Sequence, residues 1–144
     1  MSKGDTFEND LLKLIFNAVA ISNLADNAAS APSTALWVSL HTADPGETGT
    51  QGTNETSYTG YARVSVARTT GGWVVTNNSV SPVSVITYGT ATSTSTGTLT
   101  HFGCGLSSAS TGGKILYKGT VTPNINFGQN VVPRLTTGSS ITED

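Results

Sequence analysis

The chain has 144 residues, enough for one domain with a buried core, and only 11% of them are charged, against about a quarter in an ordinary soluble domain. The formal net charge is −2 and the few Lys and Arg residues are scattered, which argues against nucleic acid or a membrane surface as a partner. Cys104 is the only cysteine, so an internal disulfide and a thiolate metal cage are excluded.

The first 34 residues are predicted to form a helix and a linker. From residue 5 to about 24, one apolar stripe recurs at helical spacing, and we expect it to lie on the protein's own sheet. Its members are Phe7, Leu11, Leu14, Ile15, Ala18 and Val19. A second apolar flank, formed by Leu12, Phe16 and Ile21, is predicted to be an interface with another subunit. The alternative for the whole helix is an arm that docks on a neighbouring copy.

Residues 35–144 are predicted to form a β domain, which together with the helix makes one compact unit. Leu36, Val38 and Leu40 alternate with polar or aromatic neighbours, which indicates a strand with one buried face. Ala62, Val64 and Val66 alternate in the same way and predict a second strand. A third strand, from Trp73 to Thr76, is predicted to follow a hairpin turn at Gly71-Gly72. Further strands are predicted at 80–87, 98–106, 114–121 and 131–137, separated by turns at Asn77-Asn78, Gly112-Gly113 and Pro123-Asn124. We therefore expect an antiparallel β-sandwich or barrel-like domain with one N-terminal α-helix.

Two polar segments are predicted to be exposed loops. One runs from the Asp44-Pro45-Gly46 turn to Tyr58, and the other is the Ser/Thr-rich stretch from Gly89 to Gly97. The second could alternatively be an extended strand that pairs with another chain.

The sequence contains no recognisable catalytic arrangement. His41 and Asp44 could be half of a triad, but no serine lies in a Gly-x-Ser-x-Gly elbow. His101 and Cys104 are three positions apart in a predicted strand, which places them on opposite faces unless a bulge intervenes. Paired carboxylates, a calcium loop and phosphate or dinucleotide motifs are also missing. We expect no enzyme activity, no cofactor and no metal.

Aromatic side chains on a Ser/Thr-rich β surface could instead bind sugars. The candidates are Trp37, Tyr58, Tyr61, Trp73 and Tyr117. Core packing and interface anchoring are the alternative roles for these residues.

Several segments are distinctive: 36–47, which reads LWVSLHTADPGE, 58–64, which reads YTGYARV, 113–119, which reads GKILYKG, and 133–143. Together they resemble a family of small virion structural proteins of tailed bacteriophages, often labelled tail-fibre-like or phage structural protein. The resemblance implies a subunit that binds other virion proteins, such as major capsid or tail proteins, and copies of itself. It ties no functional residue to these motifs.

The predicted function is a non-enzymatic virion subunit, made in the host cytoplasm because no secretory signal pattern opens the chain. A capsid decoration (cement) protein on the particle exterior is preferred, since no coiled coil or β-helix repeat of a long fibre is evident. The alternatives are a tail or tail-fibre subunit and a module that binds host glycans.

Overall fold

The computed structural model describes residues 5–21 and 32–143, and within them it is mainly β with one helix. The elements are α1 (Asp5–Phe16), β1 (Ala35–His41), β2 (Val64–Ala67), β3 (Trp73–Thr76), β4 (Ser79–Pro82), β5 (Ile86–Thr87), β6 (Gly97–Gly105), β7 (Ile115–Phe127), β8 (Arg134–Leu135) and β9 (Ile141–Thr142). The strands form sheets of order β2-β1-β6-β7, β3-β4-β9 and β5-β8. The predicted fold class is confirmed, although no sheet in the described part of the chain closes into a barrel.

The described residues group into two units by their internal contacts. The first unit comprises the described residues up to 35, together with 66–85 and 136–143. The second comprises 36–65 and 86–135. The predicted domain division after residue 34 stays a prediction.

In the first unit, α1 packs on the β3–β4 hairpin. The rings of Phe16 and Trp73 meet edge to face, with centroids 4.8 Å apart, a favourable aromatic geometry. Leu12 and Val80 complete the buried centre. The Asn77-Asn78 turn closes this hairpin, with Asn77 at a positive φ of 54°, as two-residue hairpin loops require.

The helix is shorter than predicted, because it ends at Phe16 and not near residue 24. Residues 22–24 of the predicted helix lie outside the described residues. Ala18 has a φ of 57°, a left-handed conformation that cannot continue a helix. The guanidinium of Arg68 donates to the carbonyls of Leu14 and Ile15, and so satisfies acceptors that a helix end leaves open.

The most buried face of the helix is not the predicted one. Leu12 and Phe16 are 0% exposed, whereas in the predicted buried stripe Phe7 is 39% exposed and Leu11, Leu14 and Ile15 are only half-buried. The reason is the contact of Phe16 with Trp73, since it turns the 12/16 face toward the hairpin.

In the second unit, the apolar face of β1 lies in the core. Leu36, Val38 and Leu40 are at most 2% exposed, which confirms the predicted alternation. The other members of this core include Tyr58, Ile86, Tyr88, Ala91, Leu99, Cys104, Val121, Phe127 and Leu135.

The β6–β7 hairpin is longer than predicted and contains an irregularity. Gly112 and Gly113, where a turn is predicted, both have positive φ and lie in the connection between β6 and β7. Between the pairs Leu99–Ile125 and His101–Thr120, β7 uses more residues than β6, so it bulges. Pro123 lies inside this bulge and therefore within β7, and the predicted turn at that proline is wrong.

The predicted Gly71-Gly72 turn does not form a hairpin, because β2 and β3 belong to different sheets. The segment from residue 89 to 96 has no strand and is mostly exposed, as predicted. Its exception is Ala91, which is fully buried.

Candidate functional site

The most unusual region of the second unit is the polar face of β1. Side chains alternate along a strand, so Trp37, Ser39 and His41 lie opposite the apolar core. Ser39 and His41 are nevertheless 0% exposed. A second layer must therefore cover this face, and it is the loop that follows β1.

Two glycines of β6 make room for that layer. Gly103 lies opposite Ser39 in the β1–β6 register, and a Cβ at Gly103 would fall 2.8 Å from both Ser39 Oγ and His41 Nε2. At Gly105 a Cβ would fall 2.3 Å from the side chain of Gln51. Larger residues at either position would displace the polar side chains.

His41 is held as a neutral ring between two partners. Its Nδ1 lies 2.9 Å from the Thr53 carbonyl oxygen, and its Nε2 lies 2.9 Å from Ser39 Oγ. Burial lowers the pKa of His41 below its usual value. In the neutral form Nδ1–H donates to Thr53 and Nε2 accepts the Ser39 hydroxyl proton.

The Ser39–His41 distance is one at which a base can activate a nucleophile, but the arrangement does not support catalysis. Both side chains are fully buried, so a substrate cannot reach Ser39 Oγ. The backbone of Gly103 closes the space beside them. The pair therefore fastens the loop to the strand.

A buried ion pair lies beside this layer. Arg63 and Glu55 form two hydrogen bonds of 2.7 Å, Nε to Oε1 and Nη2 to Oε2, with side chains only 1% and 4% exposed. Arg63 also donates to the carbonyls of Ser107 at 2.9 Å and Gly112 at 3.1 Å. One guanidinium thus joins three separate chain segments.

Tyr61 extends the cluster to β1. Its hydroxyl donates to Glu55 Oε1 at 2.8 Å and accepts the N–H of Leu40 at 3.0 Å. Burial raises the pKa of Tyr61 far above its ordinary value, so the phenol stays a donor.

Gln51 fastens the middle of the same loop. It is 0% exposed, and its Nε2 donates to the Trp37 carbonyl at 2.9 Å while its Oε1 accepts the N–H of Ser107 at 3.1 Å. The expectation of an exposed loop over 44–58 is therefore wrong in part. The segment has polar composition because it fills a polar layer.

The outer end of the loop is held by surface charges. Asp44 Oδ1 accepts the N–H of Gly46 at 2.9 Å, the hydrogen bond expected of an Asp-Pro-Gly turn. Lys118 Nζ lies 3.0 Å from Asp44 and 3.1 Å from Glu47. The hydrogen bond from Gly46, and then that from Lys118, lowers the pKa of Asp44.

The sequence-predicted chemical pairs are not brought together. The ring nitrogens of His41 contact Ser39 and Thr53, and not Asp44. His101 and Cys104 lie on opposite faces of β6, because the β1–β6 register is continuous between them. Burial raises the pKa of Cys104 to about 12, which makes it an inert thiol.

The possible sugar-binding aromatics are not arranged as an open platform. Tyr58 and Trp73 are 6% and 3% exposed, and Trp37, Tyr61 and Tyr117 are half-buried. The Tyr58 hydroxyl donates inward, to the Gly89 carbonyl at 2.9 Å.

The predicted interface residues also lie mostly inside. Leu12 and Phe16 are completely buried within the chain, and Ile21 is half-buried. A partner contact through these residues stays a prediction.

Three of the distinctive sequence segments meet in this cluster: 36–47, 58–64 and 113–119. Sequence reasoning missed Glu55, Arg63 and Gln51 as the residues that join them. The available signal was Arg63 itself, a charge within an alternating strand pattern in a chain where charge is scarce.

Within residues 5–21 and 32–143, no three His, Cys, Asp or Glu side chains are grouped as metal ligands would be. The same residues include no helix with the length and apolarity needed to span a membrane.

The β-rich fold and the buried polar side chains together define a structural module. In it, Gln51, Glu55 and Arg63 hold the loops that follow β1 and β6 against the sheet. A family model described as Podophage GP4 fiber I protein gp80 matches residues 3–142. The chain belongs to this family, which confirms the resemblance to phage structural proteins. The comparison with curated proteins returned no match. The family match supports the tail-fibre alternative better than capsid decoration.

Proposed function

We propose that this chain is a non-enzymatic structural subunit of a bacteriophage tail fibre. The observation that carries the proposal is the fibre-protein family model, which matches residues 3–142. The chain would be made in the host cytoplasm and assembled into the virion through other virion proteins and copies of itself.

The buried polar cluster supports a structural role. Its members are Ser39, His41, Gln51, Glu55, Tyr61 and Arg63. Arg63 and Glu55 pair with each other, and two further donors of Arg63 reach carbonyls. Buried networks whose members are hydrogen-bonded to one another make a fold rigid and specific. A subunit that transmits load between the particle and the cell surface needs a fixed shape more than an open cleft.

Copy number distinguishes a fibre from a shell subunit. Quantitative mass spectrometry of purified virions should give about three to eighteen copies per particle, as rings and trimers around a tail require. Hundreds of copies would instead assign the chain to the capsid shell and overturn the fibre assignment. Particles made without the chain should have normal heads and reduced adsorption.

The non-enzymatic part is tested through Ser39, whose hydroxyl is the only nucleophile held by a buried histidine in the described cluster. Ser39→Ala should leave virion assembly and adsorption unchanged. Normal assembly with lost adsorption would point to a reaction at Ser39 and contradict the proposal.

A further inference from the structure

One long part of the chain carries no charge at all. Asp, Glu, Lys and Arg are absent from residue 69 to residue 113. β3 and β4 of the first unit both lie in this segment. Soluble proteins usually place charges on exposed strands, since charges prevent unwanted pairing and aggregation.

The register of the β3–β4 hairpin divides its residues between two faces. Trp73 pairs with Pro82, and both are buried toward α1. Val74 pairs with Ser81 on the opposite, outer face. The N–H of Val83 bonds the carbonyl of Gly72 at 3.0 Å, which places Val83 on the outer face as well.

The outer face is unusually apolar for a surface without charge. Val74 is 50% exposed, Val83 is 45% exposed, and Val85, two residues further on, is 47% exposed. The polar members of this face are hydroxyl side chains, Thr76, Ser79 and Ser81. Exposed apolar patches of this kind mark interaction surfaces.

We propose that the outer face of β3 and β4 packs against the same face of a second copy of this chain. When two identical surfaces meet, any net charge on the face is repeated on its partner, and like charges repel. A surface without charge avoids this repulsion whatever symmetry the contact has. It also offers nothing to a partner recognised by opposite charge. The short side chains of Val, Ser and Thr leave the outer face even, and such a face suits the face-to-face packing of two sheets.

The test uses the purified full-length chain and does not depend on its place in the particle. Sedimentation equilibrium should show self-association of the wild type that weakens about a hundredfold or more in Val74→Glu. Val74→Lys should weaken it in the same way. An equimolar mixture of the Glu and Lys variants should associate again, because the contact then joins opposite charges.

Val131→Glu is the matched control, since Val131 is 36% exposed and lies in the second unit, outside this face. It should associate like the wild type. Circular dichroism checks that each variant is folded. If a Val74 variant is unfolded, Val83→Lys takes its place, since Val83 is a second exposed position on the same face.

Two outcomes would overturn the proposal. The wild type could be monomeric at all concentrations, or the Val74 and Val83 variants could associate as well as the wild type. If the wild type is monomeric and a folded Val74→Glu chain fails to enter particles, the face belongs to a contact with a different virion protein.

Discussion

Replacing Arg63 with methionine should destabilise the second unit more than any surface change. Arg63 makes four hydrogen bonds, two to Glu55 and one each to the carbonyls of Ser107 and Gly112. Methionine keeps most of the volume but leaves the Glu55 carboxylate buried without a counter-charge.

The magnitude follows from that unpaired carboxylate. Removing one partner of a buried ion pair costs about 3–5 kcal/mol, while a whole domain is stable by about 5–15 kcal/mol. Arg63→Met and the double variant Arg63→Met with Glu55→Leu both leave the carbonyls of Ser107 and Gly112 without the Arg63 donors. The double variant also removes the acceptor of the Tyr61 hydroxyl, at about 1–3 kcal/mol. It leaves no buried unpaired charge, so it should cost less than Arg63→Met alone.

Urea unfolding measures these differences as shifts of the midpoint at constant m-value. Trp37 lies in the second unit and Trp73 in the first, so a Trp73→Phe background lets Trp37 fluorescence report the affected unit. Lys118→Met, which removes only the surface ion pairs with Asp44 and Glu47, is the control and should leave the midpoint nearly unchanged. A loss below about 1 kcal/mol in Arg63→Met, or a double variant less stable than that single one, would refute the reasoning.

Three further predictions concern other parts of the fold. Because burial lowers the pKa of His41 in the folded chain below the usual 6.5, the unfolded chain takes up a proton on His41 at a higher pH than the folded chain does. Stability in urea should therefore decrease from pH 6.5 toward 5, and His41→Gln should remove that dependence. Gly103→Ala should cost about 1–3 kcal/mol by overpacking, measured by thermal unfolding, whereas Gly128→Ala, with its nearest neighbour 3.5 Å away, should cost much less. Phe16→Ala should cost about 3–5 kcal/mol and Phe7→Ala far less, and the opposite ranking would restore the helix orientation predicted from the sequence.

The local patterns that depend on near neighbours were predictable. Leu36, Val38 and Leu40 alternate along one strand, and burial of one face follows directly from that period. The Asp44-Pro45-Gly46 turn and the positive φ of Gly112 and Gly113 depend on backbone conformations that these residues favour. Such features require no knowledge of distant parts of the chain.

The features that depend on distant residues were not predictable. The helix end is set partly by Arg68, more than fifty positions after Ile15, and its orientation by the contact of Phe16 with Trp73. The polar cluster could be predicted only from the pairing of β1 with β6, which places Gly103 opposite Ser39 and so makes room for the buried side chains. Without that register, the loop after residue 44 resembles any solvated segment.

The bulge in β7 limits how this sheet can grow. β7 is an edge strand in the order β2-β1-β6-β7, and long, regular edges invite strands from other molecules. Pro123 has no N–H to donate, and the extra residues around it interrupt the hydrogen-bonding ladder. Another molecule could therefore add a strand to this edge only over a short run of residues, which disfavours open-ended growth of the sheet through β7.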